Sequence, residues 1–275
     1  MPTVKKRGTW PPENRGQYSE KVLTSVSILK ATAKTPINIV NLAHELENHP
    51  SVAFTHYLLN GLRQGFHTGI KSLPSASVEC KNLRSAFSHS EHVSSLLESE
   101  VEKGYVYGPF DQIPFSHYRI NPIGVAVGKY NNKKRLIVDL SAPHEDPENP
   151  SLNELINKDE FSLQYVSIDD AIRNIKELGV NCWLMKTDIT DAFKVMPLAP
   201  ELWPYHGIKW EEKYYFFNRL VFGCRSSPKI FDTLSQAICW IAKNNYHIEN
   251  ILHLLDDFLV IVPEHANAQQ TMYTF

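Results

Sequence analysis

Apolar positions along the chain follow a helical period first and strand-like runs later. Ile39, Leu42 and Leu46, then Phe54, Leu58 and Leu62, recur at helical spacing. Asn48-His49-Pro50 breaks the run, because proline lacks the backbone donor a helix interior needs, so two helices are predicted between Pro36 and Gly65. Val93, Leu96, Leu97 and Val101 predict another, ended at Lys103-Gly104. The stretch from Met1 to about Thr35 is polar and holds Pro2, Pro11 and Pro12; it reads as a flexible lead-in with room for one short helix. A Pro- and Gly-rich stretch from Gly108 to Gly128 marks the change, after which short strands dominate.

Ile123–Val127 and Arg135–Leu140 predict a hairpin whose turn carries Lys129, Lys133 and Lys134. Ser167-Ile168-Asp169-Asp170 is a capping-box-like helix start; that helix ends at Gly179 and is expected to bury Ile168, Ile172 and Ile175. A strand, Asn181–Thr187, runs straight into Asp188. Tyr205–Trp210 and Tyr214–Asn218 form a second predicted hairpin. Ser227 as cap and Pro228 in the first turn open a long helix with Phe231, Leu234, Ile238 and Ile241 on its buried face. A closing hairpin, Ile251–Leu255 and Phe258–Val262, carries Asp256 and Asp257 between its strands. From Asn181 onward this order draws as an α+β fold, a split β-α-β antiparallel sheet with helices on one face. Such a sheet makes the end of its first strand a neighbour of its last hairpin tip, so Asp188 can meet Asp256 and Asp257.

Two adjacent carboxylates in an apolar run need a reason, since a lone charge leaving water normally finds a partner or neutralises. One reading is a turn with both aspartates in solvent. The other is a divalent cation, and Asp188 supplies the third carboxylate that favours it. Three aspartates on an exposed sheet suit two Mg²⁺ ions, with Mn²⁺ as the alternative, in a site for in-line phosphoryl displacement. Nucleotidyl transferases and nucleases both use such ions, and geometry alone does not separate them.

The chain has 275 residues, 43% of them hydrophobic and 21% charged, which is a globular composition. With 28 Lys and Arg against 30 Asp and Glu, any nucleic-acid contact must be made by local basic groups rather than by overall charge. Cys80, Cys182, Cys224 and Cys239 have neither zinc-site spacing nor paired histidines. No apolar stretch of membrane-spanning length and no signal-peptide core is present, so an intracellular location, cytoplasmic or nuclear, is expected.

Four segments resemble, in order, the motifs of reverse transcriptases: Arg135-Leu136-Ile137-Val138-Asp139-Leu140 the fingers motif, Lys186–Phe193 with Met196-Pro197-Leu198 the first palm motif, Leu220–Phe231 the second, and Leu254-Leu255-Asp256-Asp257 the third. The text of the last two, with Val166–Ile172, Asn60–Phe66 and Asn82–Phe87, is most similar to the enzymes of DIRS-like retrotransposons, which pair this polymerase with a tyrosine recombinase. The resemblance covers roughly Pro36 to Phe275. It implies right-hand polymerase architecture: a helical extension over 36–107, fingers over 108–180, and an incomplete palm over 181–275 with a fingers-like insertion near 199–219. It also implies template-directed addition of dNTPs to a primer on RNA or DNA.

By the same resemblance Asp188, Asp256 and Asp257 are the metal ligands and catalytic residues. Phe193 matches the steric gate under the incoming sugar. Arg135, and more weakly Lys129, match the basic groups on the triphosphate. Gly223 and Ser227 would let the chain pass close to template and nucleotide. Taken singly, each has a plainer reading: Phe193 as core, Asp191 as a cap on local backbone, Asp139 as a partner for a basic residue, and Lys186, Arg219 and Arg225 as surface charges. Leu254 stands where the family has an aromatic residue, and Phe222 where it commonly has glutamine. The family polymerases continue past the aspartate hairpin into a thumb, so the chain is expected to be a C-terminally truncated piece. A remnant that at most binds nucleic acid is the competing expectation.

Overall fold

The computed structural model describes residues 34–129 and 132–275. The predicted lead-in lies almost wholly outside the described residues, as does the tip of the lysine-bearing turn. Two helices, α1 (Ile39–Glu45) and α2 (Val52–Gln64), start where Asn38 and Ser51 side chains accept from the free amides of Asn41 and Phe54. The predicted break at Asn48-His49-Pro50 lies between them. Strand β1 (Val78–Glu79), the short helix α3 (Arg84–Phe87) and helix α4 (Ser90–Glu102) follow. Next come β2 (Val106–Phe110), β3 (Arg119–Ile120) and the hairpin β4 (Ile123–Val127) and β5 (Lys134–Val138).

Helix α5 (Ile168–Leu178) has the full capping box between Ser167 and Asp170, and β6 (Trp183–Asp188) follows it. Beyond two 3-10 turns, Ala192–Val195 and Pro200–Tyr205, come β7 (Gly207–Trp210) and β8 (Lys213–Phe217). The long helix α6 (Ser227–Asn244), the closing hairpin β9 (Ile251–Leu254) and β10 (Asp257–Val262), and α7 (Ala268–Thr274) complete the described chain.

The strands form a three-stranded sheet in the order β6-β10-β9, a five-stranded sheet in the order β1-β3-β7-β8-β2, and the separate hairpin β4-β5. The fold is α+β, and the antiparallel sheet expected from Asn181 onward is present, with α6 packed on β9. The second hairpin, β7-β8, belongs to the other sheet. One core runs from Leu58 and Leu62 on α2 and Phe66 just after it, through Leu97, to Trp203, Phe217 and Leu234. Trp203 is fully buried, and its indole N–H donates to Leu198 O at 2.8 Å. Among the described residues no helix is long and apolar enough to cross a membrane.

Three local expectations are corrected. On α5 none of Ile168, Ile172 and Ile175 is buried, Ile168 being 79% exposed; the helix touches β10 but leaves the stripe largely uncovered. The cap of α6 is Ser226, with Ser227 already inside the helix. On the same helix Phe231 and Leu234 are buried while Ile238 and Ile241 are only partly so.

His206 is fully enclosed, with a ring nitrogen 2.9 Å from Leu202 O, and burial holds its pKa down at about 4 against an ordinary 6.5. Between those values the unfolded chain takes up a proton that the folded chain refuses. Stability is therefore full above pH 6.5 and falls as the pH drops to about 4, by about 3 kcal/mol in total from this group. Urea unfolding at pH 7 and pH 4.5, on wild type and His206→Gln, checks this: the variant is expected to lose less stability on acidification.

Candidate active site

Strand β6 delivers Asp188 at its C-terminal end, and β10 begins at Asp257. Antiparallel pairing puts these two residues directly opposite each other, with Val262 opposite Trp183 at the far end. One residue further on, Ile189 N–H donates to Asp256 O at 3.0 Å. Residues 188 and 256–257 are thus adjoining because of strand register. The register is fixed by Phe258, Val260 and Val262, which lie on one face of β10 and are buried against α6 and its surroundings.

The turn before Asp257 is strained. Leu255 has φ +54°, a left-handed conformation unusual for a leucine. Its carbonyl accepts from Ser235 Oγ of α6 at 2.8 Å, and its side chain packs on the main core. A second tie joins α6 to β9: His253 Nε2 lies 3.0 Å from Asp232 Oδ1 and its Nδ1 3.3 Å from Cys239 Sγ, while Gln236 donates to the other Asp232 oxygen. The arrangement has the members of a cysteine–histidine–aspartate triad. Burial, however, pushes the Cys239 thiol up to about 12, so it stays protonated and serves as a packing and hydrogen-bonding group.

Lys186 holds the charge balance of the aspartates. Its Nζ is 3.0 Å from Asp257 Oδ1, and that bond, with the fields of Asp257, Asp188 and Asp256, raises its pKa. The lysine is therefore part of the cluster rather than an ordinary surface charge. Among the described residues no three His, Cys, Asp or Glu side chains gather into a group able to hold a metal ion. The donor set still suits a hard divalent cation: three carboxylates at adjoining strand ends, none buried, with an ammonium group against one of them.

Phe193 lies in the 3-10 turn after Asp188, only 5% exposed, with Phe231 beneath it at 5.5 Å and Phe222 against it at 4.5 Å between ring centres. Phe222 is the half-exposed ring of the pair. Gly223 follows with φ +102°, and a Cβ there would meet Val138 O at 2.3 Å. The base of β5 therefore presses on this turn. Arg135 stands exposed farther out on β5, paired with Ala126, and Lys129 is exposed at the start of the turn. Ser227 is fully buried, and its Oγ has no hydrogen-bond partner among the described residues.

Asp139 accepts from Ser141 N–H and pairs with His144 at 3.0 Å, as expected of a structural partner. Asp191 does not cap its own backbone; it reaches Lys103 Nζ at 2.8 Å. Arg219 is buried rather than on the surface, and donates to Asn218 O and Oδ1. Arg225 has an exposed side chain, with its guanidinium on Ile156 O.

One residue was missed by sequence reasoning. Asn153, 6% exposed, donates to Ser141 Oγ at 2.9 Å and to Gly223 O at 2.8 Å, and accepts from Arg225 N–H at 2.8 Å. It joins the loop after β5 to the Gly223 turn, 70 positions away, and no local pattern announces such a partner. Asn153→Ala leaves two backbone groups without their partner and is expected to lower stability by about 2–3 kcal/mol, measurable by urea denaturation.

The family described as reverse transcriptase (RNA-dependent DNA polymerase) matches the chain over residues 123–275. Among solved structures, a selenomethionine-labelled mutant of the prototype foamy virus protease-reverse transcriptase is similar over 93% of this chain and 30% of its own, at 15% identity and TM-score 0.51. The native form of that protein is similar over 76% of this chain and 24% of its own, at 15% identity and TM-score 0.49. A foamy viral protease-reverse transcriptase in complex with dsDNA is similar over 89% and 49%, at 13% identity and TM-score 0.48. The chain thus spans between a quarter and a half of the length of these structures, and at such identity the likeness is one of fold. No protein of curated function matches it.

Proposed function

Since the chain belongs to the reverse transcriptase (RNA-dependent DNA polymerase) family, we propose that it carries the nucleotidyl-transfer site of such an enzyme, adding dNTPs to a primer on an RNA or DNA template. The observation that carries this reading is the β6–β10 register, with Asp188 opposite Asp257 and Asp256 bonded through its carbonyl to Ile189. We assign 36–107 as a helical extension, 108–180 as fingers and 181–275 as part of the palm. The text of the motifs supports a retroelement source of the DIRS-like kind.

Asp188, Asp256 and Asp257 are the residues that would hold Mg²⁺. Two such ions supply charge neutralisation at the attacking and leaving oxygens of an in-line displacement. The remaining work falls to the chain itself. Lys186 holds Asp257 until a cation competes for it. The rings of Phe193 and Phe222 pack on each other in the chain that follows Asp188, and in this reading a ribose 2′-hydroxyl against them would be desolvated without a partner, which disfavours NTPs. Arg135 and Lys129 bring positive charge on a hairpin whose base contacts the Gly223 turn, and in this reading they would meet the triphosphate.

Primer extension tests the reading: the chain, with Mg²⁺ and a 5′-labelled primer on RNA and DNA templates, is expected to add complementary dNTPs and to discriminate against NTPs. Absence of addition on either template contradicts it. A second reading is a non-catalytic remnant that at most binds nucleic acid, through the exposed Lys129 and Arg135 of the β4-β5 hairpin. Binding that weakens steeply with salt, in a chain that adds nothing, selects this second reading.

A further inference from the structure

The turn Ala192–Val195, which links Asp188 to Phe193 and the chain beyond, is gripped from outside the sheet that positions the aspartates. Each grip comes from the segment upstream of residue 106. Thr35 Oγ1 donates to Val195 O at 2.7 Å. Glu100 on α4 is 2.7 Å from the Nζ of Lys194, a lysine that is itself 9% exposed and lies 4.4 Å from the Phe217 ring centre. Lys103, just past the end of α4, is 2.8 Å from Asp191 Oδ2. Asp191 needs this hold, because its φ of +55° is left-handed and its side chain makes no cap for the turn it opens. Gly104 O and Tyr105 O in turn accept from Asn218, whose own carbonyl accepts from Leu198 N–H.

A buried lysine and a left-handed aspartate in successive turns of chain are both unfavourable alone. Each is offset by a charged group of opposite sign on one helix end. Desolvation pushes Lys194 down and Glu100 pushes it back up, while Asp191 raises Lys103.

We infer that the end of α4, through Glu100 and Lys103, is a positioning device for the turn that carries Phe193, and so sets the affinity of the site for the incoming nucleotide. This rests on the polymerase reading. Glu100 and Lys103 act through Lys194 and Asp191 and touch no substrate themselves. Loosening the turn misplaces Phe193 and Phe222 against the nucleotide, which weakens binding while leaving the aspartate hairpin, held separately by Ser235 and His253, as it was.

The test uses the exposed end of the brace, since Glu100→Gln strands a buried lysine and can prevent folding. Lys103→Met and Lys103→Arg are compared with wild type in primer extension. The methionine variant is expected to raise KM for dNTP about fivefold, a half-exposed ion pair's worth, with kcat within about twofold, and the arginine variant to restore KM. Unchanged KM in the methionine variant, or equal impairment in both variants, overturns the inference. If wild type itself adds no nucleotide, the polymerase reading fails on its own, and amide exchange of Ala192–Val195 decides the brace. Exchange about fivefold faster in the methionine variant only upholds it, and equal exchange in all three overturns it.

Discussion

Asp188→Asn is expected to lower Mg²⁺-dependent nucleotide addition by at least about a thousandfold while leaving the fold intact. The position explains both halves. Asp188 is exposed at the end of β6 and faces Asp257 across the pairing, so its carboxylate makes no buried contact that asparagine would break. Removing one of three neighbouring negative charges also relieves repulsion, and the melting temperature is expected to stay level or rise slightly, since exposed substitutions of this kind stay within about 0.5 kcal/mol. Catalysis has no such tolerance, because an amide oxygen is a far weaker donor to a hard cation than a carboxylate. Asp256→Asn should behave alike. Primer extension with purified proteins, beside thermal unfolding, checks the pair of outcomes; a variant that extends primers like wild type would remove Asp188 from the site.

Gly223→Ala carries the largest expected cost in stability. Its φ of +102° is one that L side chains rarely adopt, and the added Cβ would stand 2.3 Å from Val138 O, a backbone atom within β5 that cannot swing away. The carbonyl of the same residue accepts from Asn153, so any shift of the turn also breaks that bond. We expect a loss of more than about 3 kcal/mol, enough to leave a marginal chain partly unfolded. Gly179→Ala is the control. Its φ is +90°, but nothing lies within 4 Å of its Cβ, and about 1 kcal/mol is expected. Urea midpoints of the two variants separate backbone strain from collision: equal losses would mean that the contact with Val138 carries no cost.

Residues close in sequence were legible and residues joined across it were not. Helices α1, α2 and α4, the capping box of α5 and the hairpins β4-β5 and β9-β10 each follow from signals within one element, such as a period, a cap or a break. The meeting of Asp188 with the Asp256-Asp257 turn was also legible, because strand order allows few arrangements of a small antiparallel sheet. Strands β1 and β3 are two residues long and carry no alternation to detect. Strand β2 contains Gly108-Pro109, which reads as a break; it survives at a sheet edge, with an irregular register between Tyr107 and Phe110. Amphipathic spacing on α5 marked a stripe correctly but could not say that little of it would be covered.

Charges were hardest to place. Nothing adjacent to Lys194 or Arg219 in sequence indicates burial, and two of the groups that accept them, Glu100 for Lys194 and the face of Tyr105 for Arg219, come from the segment upstream of residue 106, about 90 and 110 positions away. The pairing of Lys186 with Asp257 likewise depends on strand register, since the two belong to facing strands.

The claim that Asp188, Asp256 and Asp257 form a cation site is tested most directly by Mn²⁺ binding followed by electron paramagnetic resonance. The titration is made with wild type, Asp188→Asn and Asp256→Asn in the presence of a primed template and a non-hydrolysable dNTP. Two bound ions per wild-type chain, with loss of binding in each variant, is the predicted result. Absence of bound Mn²⁺ in the wild-type complex, or equal binding in all three proteins, would contradict it.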